Sequence, residues 1–307
     1  MGGVLASARP GWVLAILLAS VFTVYIRAQR WRVLLRPVGR VPLYPAMSAT
    51  AIGFGASTVL PLRLGEIVRP ALLGRQTGIG MSAALSSVVL ERLFDMLLVI
   101  TCFLGVSLAY QIPAQMRRGA YVLAALAATG FVVLLIVQRN PVRAERLLER
   151  LLGRMPERIA RAVRPVAHAF LNGLGGLSDW STVFLVLGYS AYLWGVITLT
   201  FLFAFLALGT SVPLIAASLA TVVIVAACVF LPQAPGFLGT WQWGCVLSLS
   251  IFHVPKDIAV GYSLLTWIVA IVANVGAAGI FLAREDLSLG QLLRVTERDE
   301  AATDTGR

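Results

Sequence analysis

The chain has 307 residues, of which 59% are hydrophobic and 13% charged, with a mean hydropathy of +0.87. That is too apolar for an average soluble domain, and several runs approach the roughly 18–20 apolar residues that cross a bilayer as a helix, so the reading is an all-α, polytopic helical membrane protein. The formal charge of +11 comes from arginine, Lys256 being the only lysine; it clusters in loops beside apolar runs, which positive-inside bias explains without nucleic acid as a partner.

Taken in order, the apolar run Trp12 to Tyr25 has only Arg9 before it, whereas Arg27, Arg30, Arg32, Arg36 and Arg40 follow. That charge order predicts a retained first helix over about 11–27, running from outside to cytoplasm, rather than a cleaved signal. Residues 27–40 then form a basic cytoplasmic loop. Residues 43–60 enter the membrane, 61–76 make a charged, broken return, and Gly74, Gly78 and Gly80 mark a turn. A long helix over 81–110 follows, then a short loop at 111–119 and a returning segment at 120–138. Arg117 and Arg118 fall on the outer side, against the general bias.

Over 139–164, arginines recur every three or four positions from Arg139 to Arg161, while Leu147, Leu148, Leu151, Leu152 and Ile159 fill another face. This is a basic amphipathic helix with two readings, a helix resting on anionic headgroups or a plain cytoplasmic linker. Asn140-Pro141 suits an N-cap and first helical position, and Pro156 should interrupt the helix. Residues 181–208 cross outward, 211–231 enter again, stop at 231–236 and resume to about 252, and 258–283 cross back. The expected organisation is one membrane domain over 1–284, with halves at 1–138 and 165–284 joined by 139–164, and a disordered cytoplasmic tail at 285–307. This gives roughly six to eight membrane segments in a cytoplasmic (inner) membrane, with the N-terminus outside and the C-terminus inside.

The stretch Leu-Pro-Leu-Arg-Leu-Gly-Glu-Ile-Val-Arg at 60–69 carries the chemistry. Pro61 and Gly65 break a helix, and Arg63, Glu66 and Arg69 follow within a few positions. At membrane depth such a break is tolerable only against protein or a watery cavity. Glu91, Arg92 and Asp95 add three more charges, and leaving all six in lipid would cost on the order of 15–20 kcal/mol. They must pair, line water or sit near an interface. Glu91 and Asp95 share a helix face and Arg92 reaches Asp95 at three residues; this trio reads equally as a structural network or as part of a site. Arg63 and Arg69, beside the break, suit a phosphate, whose oxygens match arginine's forked donors.

A second break matches the first at an offset of 171. Val41-Pro42-Leu43 falls on Val212-Pro213-Leu214, Leu60-Pro61 on Leu231-Pro232, and Gly65 on Gly236. Helix counting starts the first copy inside and the second outside, which makes two broken, re-entrant hairpins in an inverted repeat, a common transporter design; a duplication kept only for packing is the alternative. Around the second break, Pro235, Gly236, Gly239 and Gln242 offer backbone amides and a side-chain amide but no charge.

Other motifs are missing from the sequence. Lys256 is followed by Asp257, so no Walker A motif exists. His168 and His253 form no H-E-x-x-H, no Cys/His cluster suggests zinc, and no G-x-S-x-G occurs. Cys102, Cys228 and Cys245 stand singly in apolar runs and read as packing residues. No cofactor or metal is expected.

Arg30-Trp31 with Leu34-Leu35, L-P-x-R-x-G-E-x-x-R at 60–69, S-x-V-x-L-E-R-x-x-D at 86–95 and P-G-x-x-G-T-x-Q at 235–242 together resemble the flippase-like membrane domain of lysylphosphatidylglycerol synthases, over about residues 25–285. The resemblance implies translocation of a lipid between leaflets, with aminoacylated phospholipids and polyprenyl-linked or hopanoid-related lipids among the wider family's substrates. It carries over to Pro61, Arg63, Gly65, Glu66, Arg69, Glu91, Arg92, Asp95, Pro235, Gly236 and Gly239. This chain departs from the pattern at Ser57 and Thr58, where members often have Asn, and at Gln242, where many have Glu. The soluble aminoacyl-transfer domain does not follow the last helix. The leading expectation is therefore a lipid flippase without a nucleotide site, and not an enzyme. Two alternatives stand beside it: a membrane-embedded transferase using Glu66, Glu91 or Asp95 as base, and a non-catalytic partner of a lipid- or glycan-synthesis enzyme.

Overall fold

The computed structural model describes residues 8–60, 64–110, 140–157, 180–229 and 234–285, together with scattered positions between 121 and 171. Pro61, Arg63 and Pro232, the expected outer loop and the C-terminal tail lie outside the described residues, as does most of the expected segment 120–138.

The elements are α1 (Pro10–Leu35), α2 (Leu43–Val59), α3 (Gly65–Thr77), α4 (Met81–Ala109), α5 (Pro141–Leu152), α6 (Trp180–Leu208), α7 (Leu214–Val229), a 3-10 turn (Pro235–Phe237), α8 (Thr240–Ser250) and α9 (Lys256–Arg284). No strand occurs among the described residues. Proline and glycine set most boundaries. Pro10 opens α1, Pro42 and Pro255 precede α2 and α9, and Gly78 closes α3 in the left-handed conformation (φ 73°), its N–H donating to Gly74 O. Among the described residues α1, α6 and α9 are long and apolar enough to cross a membrane. α4 is equally long at 29 residues but carries Glu91, Arg92 and Asp95 in its first half.

Two features differ from the sequence reading. α1 does not end near residue 27 but runs to Leu35, because Arg27 and Arg30 turn inward instead of marking a solvated loop. Asn140 stands at the start of α5, yet its side chain makes no capping bond; its carbonyl alone accepts from Arg143 and Ala144. As expected, the helix is interrupted at Pro156: α5 ends at Leu152, and helical structure resumes at Glu157, with Ala160 N–H donating to Pro156 O.

α1 lies against α6 over much of its length. Arg9 N–H donates to Ala207 O at one end and Arg30 Nη1 to Ser190 Oγ further along, so the two helices are antiparallel. α2 folds back on α3, and α7 on α8. The pairs α2–α9 and α7–α4 correspond, as do α3–α4 and α8–α9. Each of these three packings thus has a counterpart at the other break.

Small residues let the broken hairpins close. A Cβ on Gly65 would collide with Gly53 O and the Ser57 side chain, and one on Gly55 would collide with Ala278. Close backbone approach through glycine is how membrane helices gain contact where no hydrophobic driving force separates helix from lipid.

Candidate functional site: a charged cavity between two broken helices

The 3-10 turn at the second break comes close to the end of α2. Gly236, at φ 68°, lies near the end of α2, where an added Cβ would come to 3.7 Å from Thr58 O. Its carbonyl accepts a 2.6 Å hydrogen bond from Trp267 Nε1 of α9. Three residues on, Gly239 (φ 86°) opens α8, and its N–H donates to Gln242 Oε1 at 2.8 Å. Gln242 therefore serves its own helix start, while its Nε2 is buried without a protein partner.

Beside this junction is a cavity of about 220 Å³. One wall carries Arg27 from α1, Glu66 from α3, Arg92 and Asp95 from α4, with Ser57 and Thr58 from the end of α2. The rest of the lining comes mainly from α6, α7 and α9 and is largely apolar, through Leu193, Ile197, Val222, Val225 and Ala270, with Thr200 and Asn274 as uncharged polar groups. Of the charged residues expected at the site, Glu66, Arg92 and Asp95 reach this cavity.

Behind the charged wall lies a buried ionic cluster. Arg30 is fully buried; its Nη2 donates to Glu91 Oε1 at 2.8 Å, and its Nη1 to Asp95 Oδ1 at 2.6 Å and Ser190 Oγ at 3.0 Å. Arg69 Nη1 donates to Glu91 Oε2 at 2.9 Å, and its guanidinium lies over the Trp31 ring, 3.9 Å from the centroid. Trp31 is fixed in turn by its Nε1 donating to Ser87 Oγ. Trp194 Nε1 donates to Asp95 Oδ1 at 3.0 Å. Burying these charges is tolerable because every carboxylate faces at least one arginine.

Arg92 connects the cluster to the cavity. It pairs with Glu66 at 3.0 Å and approaches Asp95 at 3.8 Å, and the Arg92 and Glu66 side chains remain 22% and 30% exposed. Arg69, expected to meet a phosphate, is only 2% exposed and is held by Glu91 and Trp31. It borders a much smaller recess with Gly53, Ser57 and Gly65.

Sequence reasoning did not place Arg27 or Arg30 at the site. It took both as the start of a solvated loop, although Arg30-Trp31 belongs to the pattern that carries the resemblance. A signal was present: no proline or glycine interrupts the run from Val13 to Arg36, so nothing forces the helix to stop at 27. Arg27 stacks over Phe54 at 4.3 Å and makes no ion pair or hydrogen bond among the described residues.

No cluster of potential metal ligands occurs among the described residues. A family model described as the lysylphosphatidylglycerol synthase TM region matches residues 1–278. Comparison with curated proteins and with solved structures finds no match.

Proposed function

Because the chain belongs to the family of lysylphosphatidylglycerol synthase transmembrane regions, and is a membrane protein of lipid handling on that ground, we propose that it translocates a lipid between leaflets. The observation that carries this reading is the cavity, lined by Arg27, Glu66, Arg92 and Asp95 in one part and by largely apolar side chains elsewhere, set where Gly236 comes close to the end of α2. A headgroup sits against the charged wall while the tails stay in lipid. Translocation is then downhill or ion-coupled, and the chain acts as a transporter and not as an enzyme.

Two features support an inverted repeat as the device. α1 and α6 occupy equivalent positions at the 171-residue offset and run antiparallel, and α7 starts at Leu214, the residue matching Leu43 at the start of α2. In this reading the halves 1–138 and 165–284 rock against each other about the two breaks, the segment 139–164 lies on the cytoplasmic surface of the inner membrane, the N-terminus is outside and the C-terminus is inside.

A leaflet-resolved assay in proteoliposomes tests the proposal. Wild-type vesicles should exchange a labelled phospholipid faster than protein-free ones. Glu66→Gln with Arg92→Gln removes one charged pair, a contact of ~1.5–3 kcal/mol, and should slow exchange about tenfold. Exchange no faster than in empty vesicles would sink the reading.

A further inference from the structure

We propose that the cavity selects by charge, taking an anionic headgroup and disfavouring one that bears an ammonium, with Arg27 as the specificity-determining residue. The occupant's being a lipid rests on the translocator reading; its charge rests on the geometry alone.

Four arginines, Arg27, Arg30, Arg69 and Arg92, meet three carboxylates, Glu66, Glu91 and Asp95, in and behind the charged wall. All three carboxylates are engaged. Glu91 is enclosed between Arg30 and Arg69. Asp95 accepts from Arg30 and Trp194 and faces Arg92. Glu66, the most exposed of them, is paired with Arg92 at 3.0 Å.

Arg27 is the cation left over among the described residues. The face of Phe54 holds its guanidinium by cation–π attraction, but a ring face satisfies none of the forked N–H donors that suit phosphate oxygens. A headgroup ammonium would meet the opposite situation. To gain a carboxylate it would have to displace Arg92 from Glu66, beside an Arg27 that no ion pair holds among the described residues. The Arg27 charge supplies repulsion against the wrong headgroup as well as attraction for the right one, and discrimination needs both. The remaining polar lining, Thr200 and Asn274 among it, is uncharged, so the charged end of the ligand faces Arg27 and Arg92.

The test uses the full chain in proteoliposomes with three trace lipids, each labelled on an acyl chain: phosphatidylglycerol, phosphatidylethanolamine and the lysyl ester of phosphatidylglycerol. Wild type should move the first at least about tenfold faster than the other two, a difference of about 1.4 kcal/mol. Arg27→Gln should collapse that ratio toward one, and Arg27→Lys, which keeps the charge, should retain most of it. Equal wild-type rates for the three lipids, or an unchanged ratio in Arg27→Gln, overturn charge selection while leaving translocation standing. Thermal stabilisation of the detergent-solubilised protein by short-chain versions of the same lipids separates the other failure. Preferential stabilisation by the anionic lipid without any exchange keeps the charge selection and refutes the translocator. Neither exchange nor preferential stabilisation overturns both.

Discussion

Replacing Arg30 by methionine should be among the most damaging single changes available to this chain. The side chain is fully buried and joins α1 to α4 and α6 through Glu91, Asp95 and Ser190. Methionine fills much of the same volume but leaves two carboxylates short of a partner. Glu91 keeps Arg69 at 2.9 Å, whereas Asp95 keeps only Trp194 at 3.0 Å and a distant Arg92 at 3.8 Å. Removing one member of a buried ion pair costs about 3–5 kcal/mol, chiefly through the charge left behind. The cost should therefore fall by more than half when Asp95→Asn is added to Arg30→Met, since the amide needs no counter-ion. Equilibrium unfolding of the purified protein in mixed micelles gives both numbers. A loss below about 1 kcal/mol for Arg30→Met, the range of an exposed pair, would refute the cluster as a structural element, and additivity of the two substitutions would refute the account of its cost.

Other consequences can be checked directly. Gly65→Ala forces a Cβ into Gly53 O and the Ser57 side chain and should destabilise by about 1–3 kcal/mol, read as a lowered thermal midpoint in detergent; an unchanged midpoint would show that α3 can move off α2. Gly236→Ala makes only ordinary contacts, 3.7 Å or more, but has a φ of 68°, so the loss should be only the ~1–2 kcal/mol of a left-handed non-glycine residue, measured the same way. On the surface, the hydrogen bond from His168, aided by Arg164, holds the Glu149 carboxyl below its ordinary value. A depressed carboxylate contributes stability above its unfolded pKa and loses it as pH falls through the folded one. The contact should therefore survive at neutral pH and open in acid, seen as faster protease cleavage near 153–157 at low pH that Glu149→Gln reproduces at neutral pH.

Much of the helical framework could be read from the sequence because its boundaries are local. Pro42, Gly78, Gly80 and Pro255 act within a turn of themselves, and the matching of Leu43 with Leu214 places both short helices. The Glu91 and Asp95 side chains share a face for the same local reason. What could not be read was which way a charge turns. Arg27 and Arg30 have the same sequence surroundings as Arg32 and Arg36, and the positive-inside rule counts all four alike. Only the arrival of Glu91 and Asp95, more than 60 positions later, distinguishes them. Arg69 was expected to meet a ligand because it follows a helix break; its attachment to Glu91 and Trp31 depends on α1 and α4 packing together. The cavity lining is assembled from helices distant in sequence, and no local pattern encodes it.

The long reach of Arg30 also bears on how the chain can be made. Its partners Glu91 and Asp95 lie 61 and 65 residues downstream, and Ser190 lies 160 residues downstream. At synthesis rates of roughly 5–20 residues per second, α1 exists for several seconds before α4 can emerge. During that interval a solitary arginine in lipid costs about 2.5–3.5 kcal/mol. The first helix has reason to linger at the membrane surface or beside the insertion machinery, and to settle at full depth only when α4 brings its carboxylates. A chain interrupted before residue 95 would hold an α1 with no stable place in the bilayer, so the order of insertion is written into one buried side chain.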